Sequence, residues 1–347
     1  MKCPKCNTKN TPASNATCSQ CKYVFVLNPR EPPYISDRAV NRAVGAASEN
    51  GRYRFTMNQL YAAVYRIAAK QARSKRRVYL FVLLSALAYM AFCLLVGPSA
   101  GTLAVTAVLV VVLVWFIKRE TNVPGEGIMS VISAYHNTYP IEGLVDGTYF
   151  KKKTSRDELK KELFDYAPER ILIVQRDDVV DMLALNGFHL ENKTAVLSAS
   201  KYPKHLFDAC QRFLEKHPNI PVEIVHDASK EGLQLKAKLV EDPSWNLAGK
   251  DVKDLGMFVD DVKRMKRPPW MPAPAVGAGA GQRADDSDAK TVEQKMERGG
   301  GVAVDSVPTK ALLAGLAAAA IAALPLMAAA MGEEEAQRKK DFGDSFG

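Results

Sequence analysis

The chain has 347 residues, 47% of them hydrophobic and 24% charged, with a net charge of +9. That length leaves room for one or two domains beside any membrane part, and six cysteines, four of them in one tight N-terminal pattern, exclude a disulfide framework and fit metal-site usage in a reducing compartment. Much of the basic excess flanks the apolar runs described below, so it argues only weakly for nucleic acid.

The opening Met1-Lys2-Cys3-Pro4 has no apolar h-region, and no cleavable signal peptide is expected. Cys3-Pro4-Lys5-Cys6 and Cys18-Ser19-Gln20-Cys21 are two CxxC pairs. A CxxC turn aims both thiolates at one point, and two such turns complete a tetrahedral zinc shell. Residues 1–27 resemble the short zinc ribbons at the front of many prokaryotic proteins, through the four cysteines, Pro4 in the first knuckle and the strand-like Tyr23-Val24-Phe25-Val26 after the second. Neither a fifth ligand nor an open position is suggested, so Cys3, Cys6, Cys18 and Cys21 are read as ligands of a structural zinc. Zinc supplies about 10–16 kcal/mol of folding energy to peptides of this size. Lys2, Lys5, Lys9 and Lys22 either touch phosphates or offset the negative tetrathiolate. A ribbon alone does not mean DNA binding, and a structural or protein-docking role is the plainer reading.

Residues 28–55 read as a linker, with Pro29, Pro32 and Pro33 barring a helix early and Gly45 and Gly51 loosening the later part. Over residues 56–77, Met57, Leu60, Tyr61, Val64, Ile67 and Ala68 recur at helical spacing, with Arg66, Lys70 and Arg73 at polar positions. This basic helix either lies at lipid headgroups, its stems on apolar surface, or packs on a folded domain. Two apolar runs follow, Val78–Val96 and Thr102–Ile117, joined by Gly97-Pro98-Ser99-Ala100-Gly101 and free of charge. Residues 78–117 therefore predict a transmembrane helical hairpin. Its cationic flanks, Arg66 to Arg77 before and Lys118 and Arg119 after, would keep both ends in the cytoplasm. A buried hairpin of a soluble core is the alternative, against which stands the missing polar stripe. The expected location is thus the inner, cytoplasmic membrane, as an integral membrane protein with the ribbon and the following domain in the cytoplasm.

Residues 122–266 predict that domain. After the Asn122–Gly127 turn, Ile128–Tyr135 and Ser155–Tyr166 read as helices. Ile171–Val174, Thr194–Ser198 and Pro221–Val225 read as strands, separated by helices Asp177–Leu185 and Pro203–Lys216 and followed by Ser229–Leu239. Strands alternating with helices over short links imply an α/β fold with a parallel sheet. Ligands of such sheets bind beyond the carboxyl ends of the strands, here Gln175-Arg176-Asp177-Asp178, Ser198-Ala199-Ser200-Lys201 and His226-Asp227-Ala228-Ser229.

The run Glu169–Lys266 resembles a Toprim domain, most closely that of the A subunit of type IIB topoisomerases. The matching pieces are Ile171–Gln175, Asn186-Gly187-Phe188, Ser198–Pro203 and His226–Gly232, with Asp254-Leu255-Gly256-Met257 similar to a segment that follows the domain. The resemblance implies a Glu at the end of the first strand and an Asp-x-Asp at the end of the third, binding magnesium for phosphodiester chemistry. This chain has Gln175 at the first position and Asp227-Ala228-Ser229 at the second, so of three expected carboxylates only Asp227 remains. Magnesium wants oxygen ligands with one or two carboxylates, and one Asp, one amide and one hydroxyl make a poor site. Asp177 or Asp178 could join Asp227, but both sit at a helix start where capping is the plainer role. Neither magnesium nor nuclease or topoisomerase activity is expected, and a winged-helix part and a catalytic Tyr module are missing as well. The five histidines have no metal spacing; His226, beside Asp227, reads as a satisfied loop residue.

Residues 267–310 read as a disordered linker. Residues 311–331 are uncharged and long enough for a third transmembrane helix, or for an Ala-rich helix lying on the hairpin or the membrane surface. A polar tail fills residues 332–347. The expectation is a membrane-anchored zinc-ribbon protein with a non-catalytic Toprim-like domain serving as a binding or scaffold module, with the lipid bilayer and another protein as partners. One alternative is a membrane-tethered, metal-dependent nuclease-type enzyme using Asp227 with Asp177 or Asp178. The other is a nucleic-acid tether.

Overall fold

The computed structural model describes residues 1–11, 16–96, 110–111, 125–152, 168–265, 267–271 and 291–322. They fall into two units: residues 1–41 with 64–138, and residues 42–63 with 139–347.

In the second unit, the apolar runs that alternate with amphipathic stretches form one four-stranded parallel sheet. Its strands are β3 (Arg170–Val174), β4 (Thr194–Ser198), β5 (Val222–Val225) and β6 (Val252–Asp254), in the order β4-β3-β5-β6. A two-stranded parallel ribbon, β1 (Phe55–Thr56) with β2 (Leu144–Val145), belongs to the same unit. The three expected strands stand within a residue of their expected bounds. Helix Asp177–Leu185 matches, and helix Lys204–Lys216 starts after Pro203, which occupies its N-cap. The stretch read as one helix from Ser229 divides into Lys230–Leu233 and Leu235–Glu241. The segment Ser155–Tyr166 lies outside the described residues.

β3 and β4 are almost continuously buried, as strands covered on both faces must be. Val179, Met182 and Leu183 of one helix, Leu206, Cys210 and Leu214 of another, and Leu312 and Leu316 near the chain end share one core with the strands. Trp245, fully buried, packs edge-on against Phe207 at 4.8 Å between ring centres. The Tyr202 hydroxyl donates to Asp181 Oδ1 at 2.6 Å and accepts from the Phe150 N–H at 2.8 Å, while Asp181 Oδ2 accepts from the Tyr149 N–H at 2.9 Å. Tyr202→Phe would strip one acceptor and one donor of their partners, with Tyr202 and Asp181 both buried. The expected cost is about 1–3 kcal/mol, read as a shift in urea midpoint; an unchanged midpoint would show that these bonds hold nothing.

Part of the stretch assigned to a linker is folded into this unit. Helix Val292–Glu297 is followed by Gly301 and Val302, which bridge to Met271 and Ala228, and by the 3-10 turn Val304–Ser306. Helix Thr309–Ala322 then buries Leu312, Leu316 and Ala319.

The membrane expectation is corrected here. Among the described residues no helix is long and apolar enough to cross a membrane, which overturns the transmembrane hairpin over 78–117, the third transmembrane helix over 311–331 and the integral membrane location. The first apolar run is no separate span. It ends the 40-residue helix Met57–Val96, which opens with Leu60, Tyr61 and Val64 buried in protein and carries Arg66, Lys70, Arg73, Lys75, Arg76 and Arg77 midway. Of the second run, only Val110 and Val111 are described. The last helix has 14 residues, about 21 Å at 1.5 Å per residue against a core of about 30 Å, and its leucines face protein; residues 323–331 lie outside the described set.

The first unit holds the N-terminal segment. The Asp37 carboxylate accepts the Val26 and Leu27 N–H groups at 3.0 and 2.9 Å. Ile128 and Ile132 of helix Gly125–Thr138 are fully buried, and Pro33 lies against Gly127.

Candidate functional site

The N-terminal cysteines come together. Each CxxC makes the same turn. Cys3 N–H reaches Thr8 O at 2.9 Å and Asn7 N–H returns to Cys3 O at 3.1 Å; Cys18 N–H reaches Tyr23 O at 2.7 Å and Lys22 N–H returns to Cys18 O at 3.1 Å. Asn7 and Lys22, one residue past each pair, take left-handed backbone at φ 63° and 60° to close these turns. The Cys3, Cys6, Cys18 and Cys21 sulfurs lie within 4.8 Å of one another, with Cys3–Cys21 and Cys6–Cys18 both at 3.5 Å. Four thiols this close could hold a metal ion. Hydrogen bonding from the Cys21 backbone lowers the Cys18 thiol to about 6. Asn10 ties the turns together: Nδ2 donates to Cys18 Sγ at 3.4 Å and to Thr8 O at 3.0 Å, and Oδ1 accepts the Ser19 N–H at 3.0 Å.

The second cluster is in the α/β unit. The chain passes from β3 out to β4 and returns to the other side of β3 to make β5, so the crevice where ligands of open sheets bind lies between the carboxyl ends of β3 and β5. Arg176 stands there, one residue before helix Asp177–Leu185. Its Nε meets Asp178 Oδ1 at 3.0 Å, Nη2 meets Asp305 Oδ2 at 2.7 Å, and Nη1 meets Asp227 Oδ2. With its amide oxygen turned toward the guanidinium, Asn58 accepts from both Nη atoms at 3.1 Å.

The carboxylates are held from behind. Asp227 Oδ1 accepts the Val304 N–H at 2.8 Å, and the Asp227 N–H donates to Gln175 Oε1 at 2.8 Å. The Thr56 hydroxyl donates to Asp305 Oδ2. Ser229, where the family resemblance implies a second Asp, caps a helix turn by accepting the Gly232 N–H at 3.0 Å. Gly232 is required by close approach, since a Cβ there would lie 2.1 Å from Asp227 O.

No protein-family model matches the chain, and no curated protein or solved structure does. The likeness to Toprim domains therefore rests on the short runs of sequence alone. Of the residues singled out from sequence, Asp227 and Asp178 meet at Arg176, whereas Asp177 turns away. Asp177 Oδ1 accepts the Ser198 and Ser200 hydroxyls, both at 2.6 Å, and Oδ2 meets Lys151 Nζ at 2.8 Å. Asp305, Thr56 and Asn58 were not foreseen; they come from stretches read as linker and basic helix, and no local pattern marks them. His226 is fully buried, with Nε2 3.1 Å from Asp254 Oδ1 and Nδ1 2.9 Å from the Asp227 carbonyl. A Cβ at Gly256 would lie 2.3 Å from its ring.

These groups set a pH dependence. Burial pushes Asp178 up to about 6 against the pull of Arg176, and burial raises Asp227 as well. The Arg176 guanidinium stays charged, its burial outweighed by Asp227, Asp305 and Asp178. Burial would lower His226, but the bond to Asp254 outweighs it and the imidazole rises above 6.5. A raised group binds its proton more tightly folded than unfolded, so its stabilisation is present at low pH and is lost as the pH rises through the folded value. Burial would raise Asp254, but His226 holds it below 3.8, so its stabilisation is lost only as the pH falls through that region. Stability is expected to be greatest near pH 4, to fall between about pH 4 and about pH 6 as Asp178 ionises in the folded chain, and to fall again above about 6.5 as His226 loses its proton. Urea denaturation between about pH 4 and about pH 8 checks it, with Asp178→Asn removing the part of the fall between about pH 4 and about pH 6; a profile that rises toward pH 8 would count against this assignment.

Proposed function

We propose that the chain is a binding or scaffold protein, in which a zinc ribbon is joined to an α/β domain that carries out no phosphodiester chemistry. The observation that carries this reading is Arg176, whose guanidinium stands among Asp178, Asp227 and Asp305 in the crevice where a catalytic metal would be sought. Carboxylates spent on an internal guanidinium are not available to bind magnesium and activate water.

The metal of the ribbon is assigned as zinc from its donor set. A tetrahedral zinc with thiolates at about 2.3 Å separates the sulfurs by about 3.8 Å, and two of the sulfur pairs stand at 3.5 Å. Cys3, Cys6, Cys18 and Cys21 would all be ligands, and the ion's role would be to fold the segment. Lys2, Lys5, Lys9 and Lys22 are exposed around it, and the first acidic residue of the chain is Glu31. A ribbon of that charge suits an acidic partner. Another protein is the first reading and nucleic acid the second, which binding that weakens steeply with salt would favour.

The test uses the full-length, zinc-loaded chain. Magnesium and manganese are titrated by calorimetry, with plasmid nicking assayed in parallel. The expected result is neither binding beyond the ribbon's zinc nor nicking. Magnesium-dependent nicking that Asp227→Ala abolishes would overturn the reading and make the crevice an active site.

A further inference from the structure

We propose that Asp178, Asp227 and Asp305 form a cation site whose resident cation is the Arg176 guanidinium, and that a divalent metal ion takes the site once that side chain is removed. The inference rests on the non-catalytic reading above and says what enforces it: the chain carries its own cation where an external one would otherwise bind.

Three observations support it. The shell around the guanidinium is made of oxygen, from three carboxylates and the Asn58 amide, which is the donor set of a hard divalent ion. Two of the three carboxylates are also positioned by bonds that do not involve Arg176. Asp227 is held by the Val304 N–H at 2.8 Å and through the Gln175 amide, and Asp305 by the Thr56 hydroxyl and its 3-10 turn, while the backbone of Asp178 is fixed in the first turn of its helix. Their convergence should therefore outlast the arginine. Finally, one guanidinium does not saturate the site. Asp305 is fully buried, and its Oδ1 accepts no hydrogen bond among the described residues. A buried carboxylate oxygen left without a donor is costly, and a doubly charged ion matches three carboxylates better than a single positive charge does.

The test compares the full-length zinc-loaded chain with Arg176→Ala and with Arg176→Ala/Asp305→Asn, using manganese chloride as the probe. Calorimetry and the electron paramagnetic resonance of bound manganese are the readouts. Arg176→Ala is expected to bind one manganese ion that the unaltered chain does not, and adding Asp305→Asn is expected to weaken that binding by at least about tenfold. Absence of binding, or binding that Asp305→Asn leaves unchanged, overturns the proposal. If Arg176→Ala does not fold, Arg176→Gln is refolded with manganese or with sodium chloride of equal ionic strength. Folding with manganese alone supports the site; failure in both, or equal folding in both, overturns it. Binding by the unaltered chain that Asp227→Ala removes would instead overturn the function proposed above, so the two failures are distinct.

Discussion

Arg176→Met is expected to lower the stability of the α/β unit by about 3–5 kcal/mol near neutral pH in buffer free of divalent ions. Methionine keeps most of the stem's volume, so the loss reports the charge. Without the guanidinium, Asp227 and Asp305, with side chains 8% and 0% exposed, face Asp178 with no counter-ion. The unfolded chain hydrates all three, and the folded chain must protonate them or give way. The deficit should therefore shrink below about pH 5, where protons replace the missing cation. Asp305→Asn, which removes one charge from the cluster, should recover part of the loss when added to Arg176→Met. Urea midpoints with unchanged slopes at two pH values read both effects. A deficit below about 1 kcal/mol at neutral pH, or one that does not depend on pH, would show that water rather than Arg176 compensates these acids.

Removing the metal should unfold residues 1–27. The buried apolar cluster of that segment is Cys3, Cys18 and Phe25, with Met1, Ala16 and Tyr23 partly buried beside it. So small a core does not offset the chain entropy of its residues. Metal binding at the four thiols would supply about 10–16 kcal/mol, most of what keeps the segment folded. Chelation, or Cys18→Ser, should collapse the dispersion of its amide resonances and expose it to protease, with bound metal, zinc on the assignment proposed above, falling from one ion per chain to none. The α/β unit, which has its own core, is the internal control. A segment that stays dispersed after losing its metal would show that packing alone holds it.

Local chemistry made much of this legible. The runs at Ile171–Val174, Thr194–Ser198 and Val222–Val225 are buried on both faces, and an apolar run needs no knowledge of its neighbours to be read as such a strand. The paired CxxC turns are equally local, since a thiolate pair is aimed by the backbone between its members. β6, three residues long with Lys253 exposed, carries too little pattern to be found. The apolar periodicity at Leu60, Tyr61 and Val64 marks a helix, which the structure has as Met57–Val96, but the same pattern serves lipid or protein. Only packing shows that these side chains are buried in protein, with the Tyr61 hydroxyl on Trp270 O at 2.6 Å.

The crevice belongs to the tertiary structure. Thr56 and Asp305 are 249 residues apart, and Arg176 and Asp227 are 51 apart. In sequence Asp305 is a lone acid between Val304 and Ser306, and Arg176 is one charge in a polar strand end. By itself the sequence determined the strands, the helices between them and the cysteine turns, because each depends on backbone preference and burial within a few residues. Which carboxylates share the guanidinium was decided by the return of the chain's last described segment to the carboxyl ends of β3 and β5, because a charge finds its partner through space and leaves no period in the sequence.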